Sequence, residues 1–169
     1  KHNAVANCIW TKFQNEIGDI TENSSTLNKT YENPLDWLLD SWLFGHHGQT
    51  NCWLTPRHII EKVGGWDESL TVNQDGEFFC RVLLKASQIC FVDEVRVYYR
   101  VGNQDSVSQR KSSIAKASSL LKSYYLYQLH LSIFTNVERV QTALLANYMK
   151  FIYHYFTIYP DLTKRAEAY

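Results

Sequence analysis

Net charge is the first thing this sequence lacks. Lysine plus arginine and aspartate plus glutamate stand at 17 each over 169 residues, so the formal charge is zero. A chain so balanced has no general electrostatic pull toward nucleic acid, and no nucleic-acid partner is expected. Long apolar runs are missing too, and no stretch reaches the roughly 18 residues that cross a bilayer. No secretory leader pattern appears. Cys8, Cys52, Cys80 and Cys90 show no Cys-x-x-Cys spacing and sit within apolar or aromatic runs. Buried free thiols in a reducing compartment explain them better than disulfides or zinc, so the expected location is cytoplasmic, including the inner face of a membrane.

What is present is apolar and aromatic: 45% hydrophobic and 14% aromatic residues, enough for a packed core at this length. Residues 5–13 carry Val5, Ile9, Trp10 and Phe13 and read as a strand, with a polar loop over 14–30. Asn33-Pro34 opens a helix, proline standing at its tolerated first position. Leu35, Leu38, Leu39 and Trp42 give that helix one apolar face before Gly45 stops it. Residues 49–54 read as a short strand feeding a helix that Thr55 caps and Gly64-Gly65 ends. Asn73 or Asp75 caps the next helix, which buries Phe78, Phe79, Val82 and Leu83. Residues 89–92 and 95–99 read as two strands separated by Asp93-Glu94. Two long helices follow, the first carrying Leu121 and Tyr127 on its apolar face, the second carrying Tyr148, Phe151 and Tyr155 and closed by Pro160. The expected architecture is mixed α/β over residues 1–110, with a helical hairpin over 111–169 packed on it. That order names no activity by itself.

Side chains with chemical potential concentrate in residues 53–81. A carboxylate at a helix start is favoured in its charged form by the dipole and the free N–H groups, which suits Asp75 to accept a proton. It is also a plain N-cap, and the two roles are compatible. Asp67 and Glu68 follow Gly64-Gly65-Trp66 in a turn. They either bind sugar hydroxyls, with Trp66 as a stacking surface, or form a solvated turn with Trp66 in the core. Glu77 makes an Asp-x-Glu pair with Asp75, but side chains two apart on a helix diverge, which argues against a shared metal. His46-His47 has no cysteine or carboxylate at metal spacing and reads as a polar loop lining a cleft; no metal-ligand residues are assigned. His58, His130 and His154 fall on helices, where solvent-facing or capped histidines are usual. Arg81 and Arg100 suit bidentate phosphate contacts or structural ion pairs with Asp75, Asp67 or Asp93. The aromatic stripe of the last helix reads as core packing, with a homo-oligomer or peripheral membrane contact as its alternatives.

Taken in order, Gly64-Gly65-Trp66-Asp67-Glu68, Asn73-Gln74-Asp75, Arg81 and Tyr99-Arg100 resemble the C-terminal, acceptor-side half of family 2 glycosyltransferases with the GT-A fold. The resemblance implies inverting transfer of a sugar from a nucleotide-sugar donor to the hydroxyl of a glycan, lipid or protein acceptor. It makes Asp75 the catalytic base, places Asp67 and Glu68 in the acceptor-side loop, and makes Trp53 and Trp66 apolar floors for a sugar ring. A divalent cation, Mg²⁺ or Mn²⁺, is implied as the group that neutralises the leaving diphosphate. The family's Asp-x-Asp motif occurs nowhere in these residues, and Val101-Gly102-Asn103-Gln104 stands where many members place a histidine. The chain, opening on Lys1, is therefore expected to be the acceptor-side piece of a longer enzyme, inactive by itself. The alternative is a non-catalytic carbohydrate-binding or assembly module that lacks the donor site.

Overall fold

A computed structural model of the protein describes residues 3–19, 25–45, 48–102, 113–134 and 136–169. Among them the fold is mixed α/β, with one three-stranded sheet and six α-helices. Strand β1 (Ala4–Phe13) is central. The two-residue β2 (Trp53–Leu54) pairs antiparallel with Ala6 and Asn7, and β3 (Gln88–Arg100) runs parallel to β1 on its other side. Parallel neighbours need a long crossover, and α1 (Pro34–Phe44), α2 (Arg57–Val63) and α3 (Gln74–Lys85) supply it.

Local signals fix α1. Asn33 Oδ1 accepts the Leu35 N–H at 3.2 Å, and Gly45 closes the helix in the left-handed region at φ 71°. A residue with a Cβ resists that conformation. Three other elements differ from expectation. The two strands expected around Asp93-Glu94 are one strand. Its ladder runs from Ala4↔Gln88 to Cys8↔Val92 and resumes at Ile9↔Arg96, so residues 93–95 bulge outward and are exposed. The strand expected over 49–54 is a 3₁₀ turn (Thr50–Cys52) followed by β2. Thr55 does not cap α2, which starts at Arg57 after Pro56.

The largest apolar cluster joins Trp37, Leu39 and Trp42 of α1 and Phe78, Val82 and Leu83 of α3 to residues of α4 (Ile114–His130) and α5 (Glu138–Tyr155). It therefore runs across residue 110. Arg139 of α5 fastens α1, pairing with Asp36 and, at 2.6 Å, with Asp40. A second cluster packs Ala117, Leu121, Tyr148 and Phe151 against Leu162 and Ala166 of a sixth helix, α6 (Pro160–Glu167). Pro160 thus opens a helix from its first position, where its missing N–H costs nothing, and the hairpin is a three-helix unit. Tyr148 and Phe151 are core, as their spacing indicates, whereas Tyr153 and Phe156 stay exposed. All four cysteines are free. Burial pushes the Cys52 thiol up to about 12, and that of Cys80 higher, which makes both poor nucleophiles. No helix among the described residues is long and apolar enough to cross a membrane.

Candidate functional site

Between α1, the approach to β2, the start of α3 and the α4–α5 pair lies a cleft of about 400 Å³. Its walls are aromatic: Trp37, Trp42, Trp53, Phe79, Tyr124 and Tyr127. Trp53 stacks on Phe79 at 5.3 Å between centroids and meets the Trp37 ring edge-on at 4.9 Å, while Trp42 stacks on Tyr127 at 4.4 Å. The rings brace one another, so their positions are set before any ligand arrives. Four longer polar side chains interrupt these walls: Asn73, Asp75, Asn147 and Lys150.

Asp75 reaches the cleft because the preceding loop is fastened to α4. Ser119 Oγ accepts the Thr71 and Val72 N–H groups at 2.9 and 3.2 Å. Asn73 Nδ2 donates to Ser123 Oγ and to the Tyr127 hydroxyl, both at 2.8 Å. Asn73 itself sits at φ 61°, ψ 23°, a left-handed conformation that asparagine tolerates better than most residues. Asn73, not Asp75, occupies the cap position, and it makes no side-chain cap bond. Asp75 is the second helical residue, half-buried, and its Oδ1 accepts the Gly76 N–H at 2.9 Å. It stands at the positively polarised end of α3.

Gly76 has a specific reason to be glycine. A Cβ there would collide with the Tyr127 hydroxyl and with Asn73 Oδ1. Gly76→Ala is therefore expected to cost about 1–3 kcal/mol of stability despite alanine's better helix propensity. Thermal denaturation measures it, and the cost should shrink in a Tyr127→Phe background, which removes the colliding oxygen. Equal cost in both backgrounds rejects this account.

The remaining sequence candidates stand elsewhere. Asp67 Oδ1 accepts the Ser69 N–H at 2.9 Å and the Ser69 hydroxyl, and Asp67 Oδ2 pairs with Lys122 at 3.5 Å. The Ser69 bonds, helped by Lys122, hold its carboxyl below the usual range. It fastens the 67–70 turn to α4 and does not line the cleft. Glu68 is exposed on that turn. Trp66 is neither a cleft wall nor buried: it stacks on Phe78 at 4.4 Å and is 43% exposed. Arg100 lies over the Phe13 ring, 5.0 Å from its centroid, at the far end of β3. Arg81 takes a structural role, but its partner is Glu77 and not the Asp75, Asp67 or Asp93 expected. It forks onto Glu77 with two bonds of 2.8 Å and donates to the carbonyls of Val63 and, at 2.9 Å, Gly65. His130, read from the sequence as one of the solvent-facing or capped histidines usual on helices, meets Glu77 Oε1 at 2.7 Å. Burial pushes the Glu77 carboxyl up, but the bonds from Arg81 and His130 outweigh it and hold it below its ordinary value. His46-His47 lies outside the described residues.

No family model, curated protein or solved structure matches this chain. Asp75 and Trp53, then, are the two sequence candidates that the fold brings together. Tyr124, Asn147, Lys150 and the Ser119–Ser123–Tyr127 row that positions Asn73 were not singled out by sequence reasoning for this role. The signal for the row was available: two serines four residues apart on a helix face otherwise made of Ala117, Leu121 and Tyr127. Mg²⁺ or Mn²⁺, implied by the resemblance, finds no group of three or more Asp, Glu, His or Cys side chains among the described residues. Asp75 is the one carboxylate among the described cleft residues, so they do not fit a metal centre.

Proposed function

We propose that the cleft receives the acceptor of an inverting glycosyltransferase of the GT-A type, with Asp75 as the base. The observation that carries this reading is one carboxylate, at a helix start, lining a cleft walled by aromatic rings. Sugar rings present C–H faces that stack on aromatic surfaces and hydroxyl edges that need polar partners, and the cleft offers both. In the proposed step Asp75 takes the proton of an acceptor hydroxyl as its oxygen attacks the anomeric carbon. The bond from that carbon to the donor diphosphate breaks, and configuration inverts. Trp53 serves as a wall for the ring. Asp67 and Arg81 shape the supporting loop, tying the 64–70 segment to α4 and α3.

The donor site belongs, in this reading, to a preceding part of a longer protein that carries the nucleotide-binding strands and the metal ligands. Mass-spectrometric screening of nucleotide sugars with the complete protein tests it directly, with transfer of a sugar to an added or endogenous acceptor as the expected result. The missing Asp-x-Asp motif favours a second reading, a carbohydrate-binding or assembly module. Glycan binding without transfer from any donor moves the function to that reading.

A further inference from the structure

Two residues that line the cleft each carry a buried side-chain donor with no partner among the described residues. Trp37 Nε1 and Asn147 Nδ2 are buried, their residues each only 5% exposed, and neither meets an acceptor among the described residues. Both residues line the cleft, one from α1 and one from α5. Buried N–H groups are nearly always satisfied, because leaving one unmade forfeits a full hydrogen bond. Two on one cleft call for a ligand that brings acceptors. Lys150, nearly one turn beyond Asn147 on α5, lines the same cleft. Its ammonium donates to the Trp42 carbonyl and makes no ion pair with a carboxylate among the described residues. An ammonium has three N–H groups and an indole has only a donor, so this set gives hydrogen bonds and positive charge.

We propose that Trp37, Asn147 and Lys150 form an anion-recognition subsite, and that the sugar entering the cleft carries a negatively charged substituent, a carboxylate or a phosphate. This rests on the reading of the cleft as a sugar site. An oxyanion supplies only acceptors, which matches Trp37 Nε1–H, Asn147 Nδ2–H and the Lys150 ammonium, and it neutralises Lys150, the one cation among the described cleft residues. Asp75 comes from α3 rather than from α1 or α5, so the element that bears the base is separate from those that bear the anion's partners.

The test compares matched ligands of the full chain by isothermal titration at fixed ionic strength, in the gluco and galacto series. The probes are the methyl glycoside, the methyl glycoside of the corresponding uronic acid, and the sugar 6-phosphate. At least one anionic probe is expected to bind on the order of tenfold tighter than its neutral counterpart. Which of the two does so identifies carboxylate or phosphate. Lys150→Met should erase the preference, Lys150→Arg should keep most of it, and Asn147→Asp should reverse it; thermal unfolding checks that each variant is folded. Equal binding within the sets, no binding by any probe, or a preference that survives Lys150→Met overturns the inference. Failure of the transferase reading looks different: anion preference intact while Asp75→Asn leaves sugar transfer unchanged.

Discussion

Asp75→Asn in the complete protein is expected to lower the rate of sugar transfer on the order of 10²–10⁴-fold, with the fold and sugar binding kept. The substitution is isosteric, and its amide oxygen still accepts the Gly76 N–H that Asp75 Oδ1 now takes at 2.9 Å. What disappears is the charge and the basicity. An amide at the positive end of α3 does not take a proton from a hydroxyl, so the attacking oxygen must lose it to water instead. The measurement is the initial rate under saturating donor and acceptor, alongside the acceptor's dissociation constant. A rate within about twofold of the wild type removes Asp75 from the reaction, whatever else the cleft binds. A fall in rate together with a large loss of thermal stability would instead mark Asp75 as a helix-start residue. The row of Ser119, Ser123 and Tyr127 holds the loop independently of the carboxylate, which argues against that outcome.

How much of this was legible in the sequence depends on how local each cause is. Helix α1 was readable because Asn33-Pro34 and Gly45 are both cap signals written within one element. The start of α3 was readable from Asn73 and Asp75, but Asn73 holds the cap position without a side-chain cap bond. The placement of Asp75 on the cleft rests on bonds to α4 that no local signal announces. Strand β3 was misread as two strands because nothing local at Asp93-Glu94 tells a turn from a bulge. The register of the partner β1 decides, and it resumes at Ile9↔Arg96. Helix α6 escaped because it buries little beyond Leu162, Thr163 and Ala166, too weak a pattern to stand out after Pro160. In the cleft, Trp53 was legible as an aromatic residue near the motif. Asn147 and Lys150 were not, since their place on the cleft follows from α5 packing on α1, elements about a hundred residues apart. Arg81 carried two readings in the sequence, and the fork onto Glu77 together with the carbonyls at the end of α2 decided for the structural one.

Glu77→Gln is expected to destabilise the protein by about 3 kcal/mol, which at this chain length lowers the melting temperature by roughly 6–12 °C. Glu77 is buried, and its two oxygens gather Arg81 of α3 and His130 of α4. Arg81 in turn holds the Val63 and Gly65 carbonyls at the end of α2. One carboxylate therefore joins three helices, α2, α3 and α4. Glutamine fills the same volume but leaves the guanidinium without its counter-charge, and its NH₂ cannot accept one of the three bonds. The pH dependence has a definite sign. Glu77 keeps its proton less readily folded than unfolded, so its contribution is fully present above the ordinary carboxylate value of 4.5 and is lost as pH falls through the lower folded value. Wild type and Glu77→Gln should consequently differ most near neutrality and converge in acid. Melting curves recorded from pH 7 down to pH 3 check both parts. A constant gap across that range would mean that the variant acts through packing, and that the ion pair does not hold these helices together.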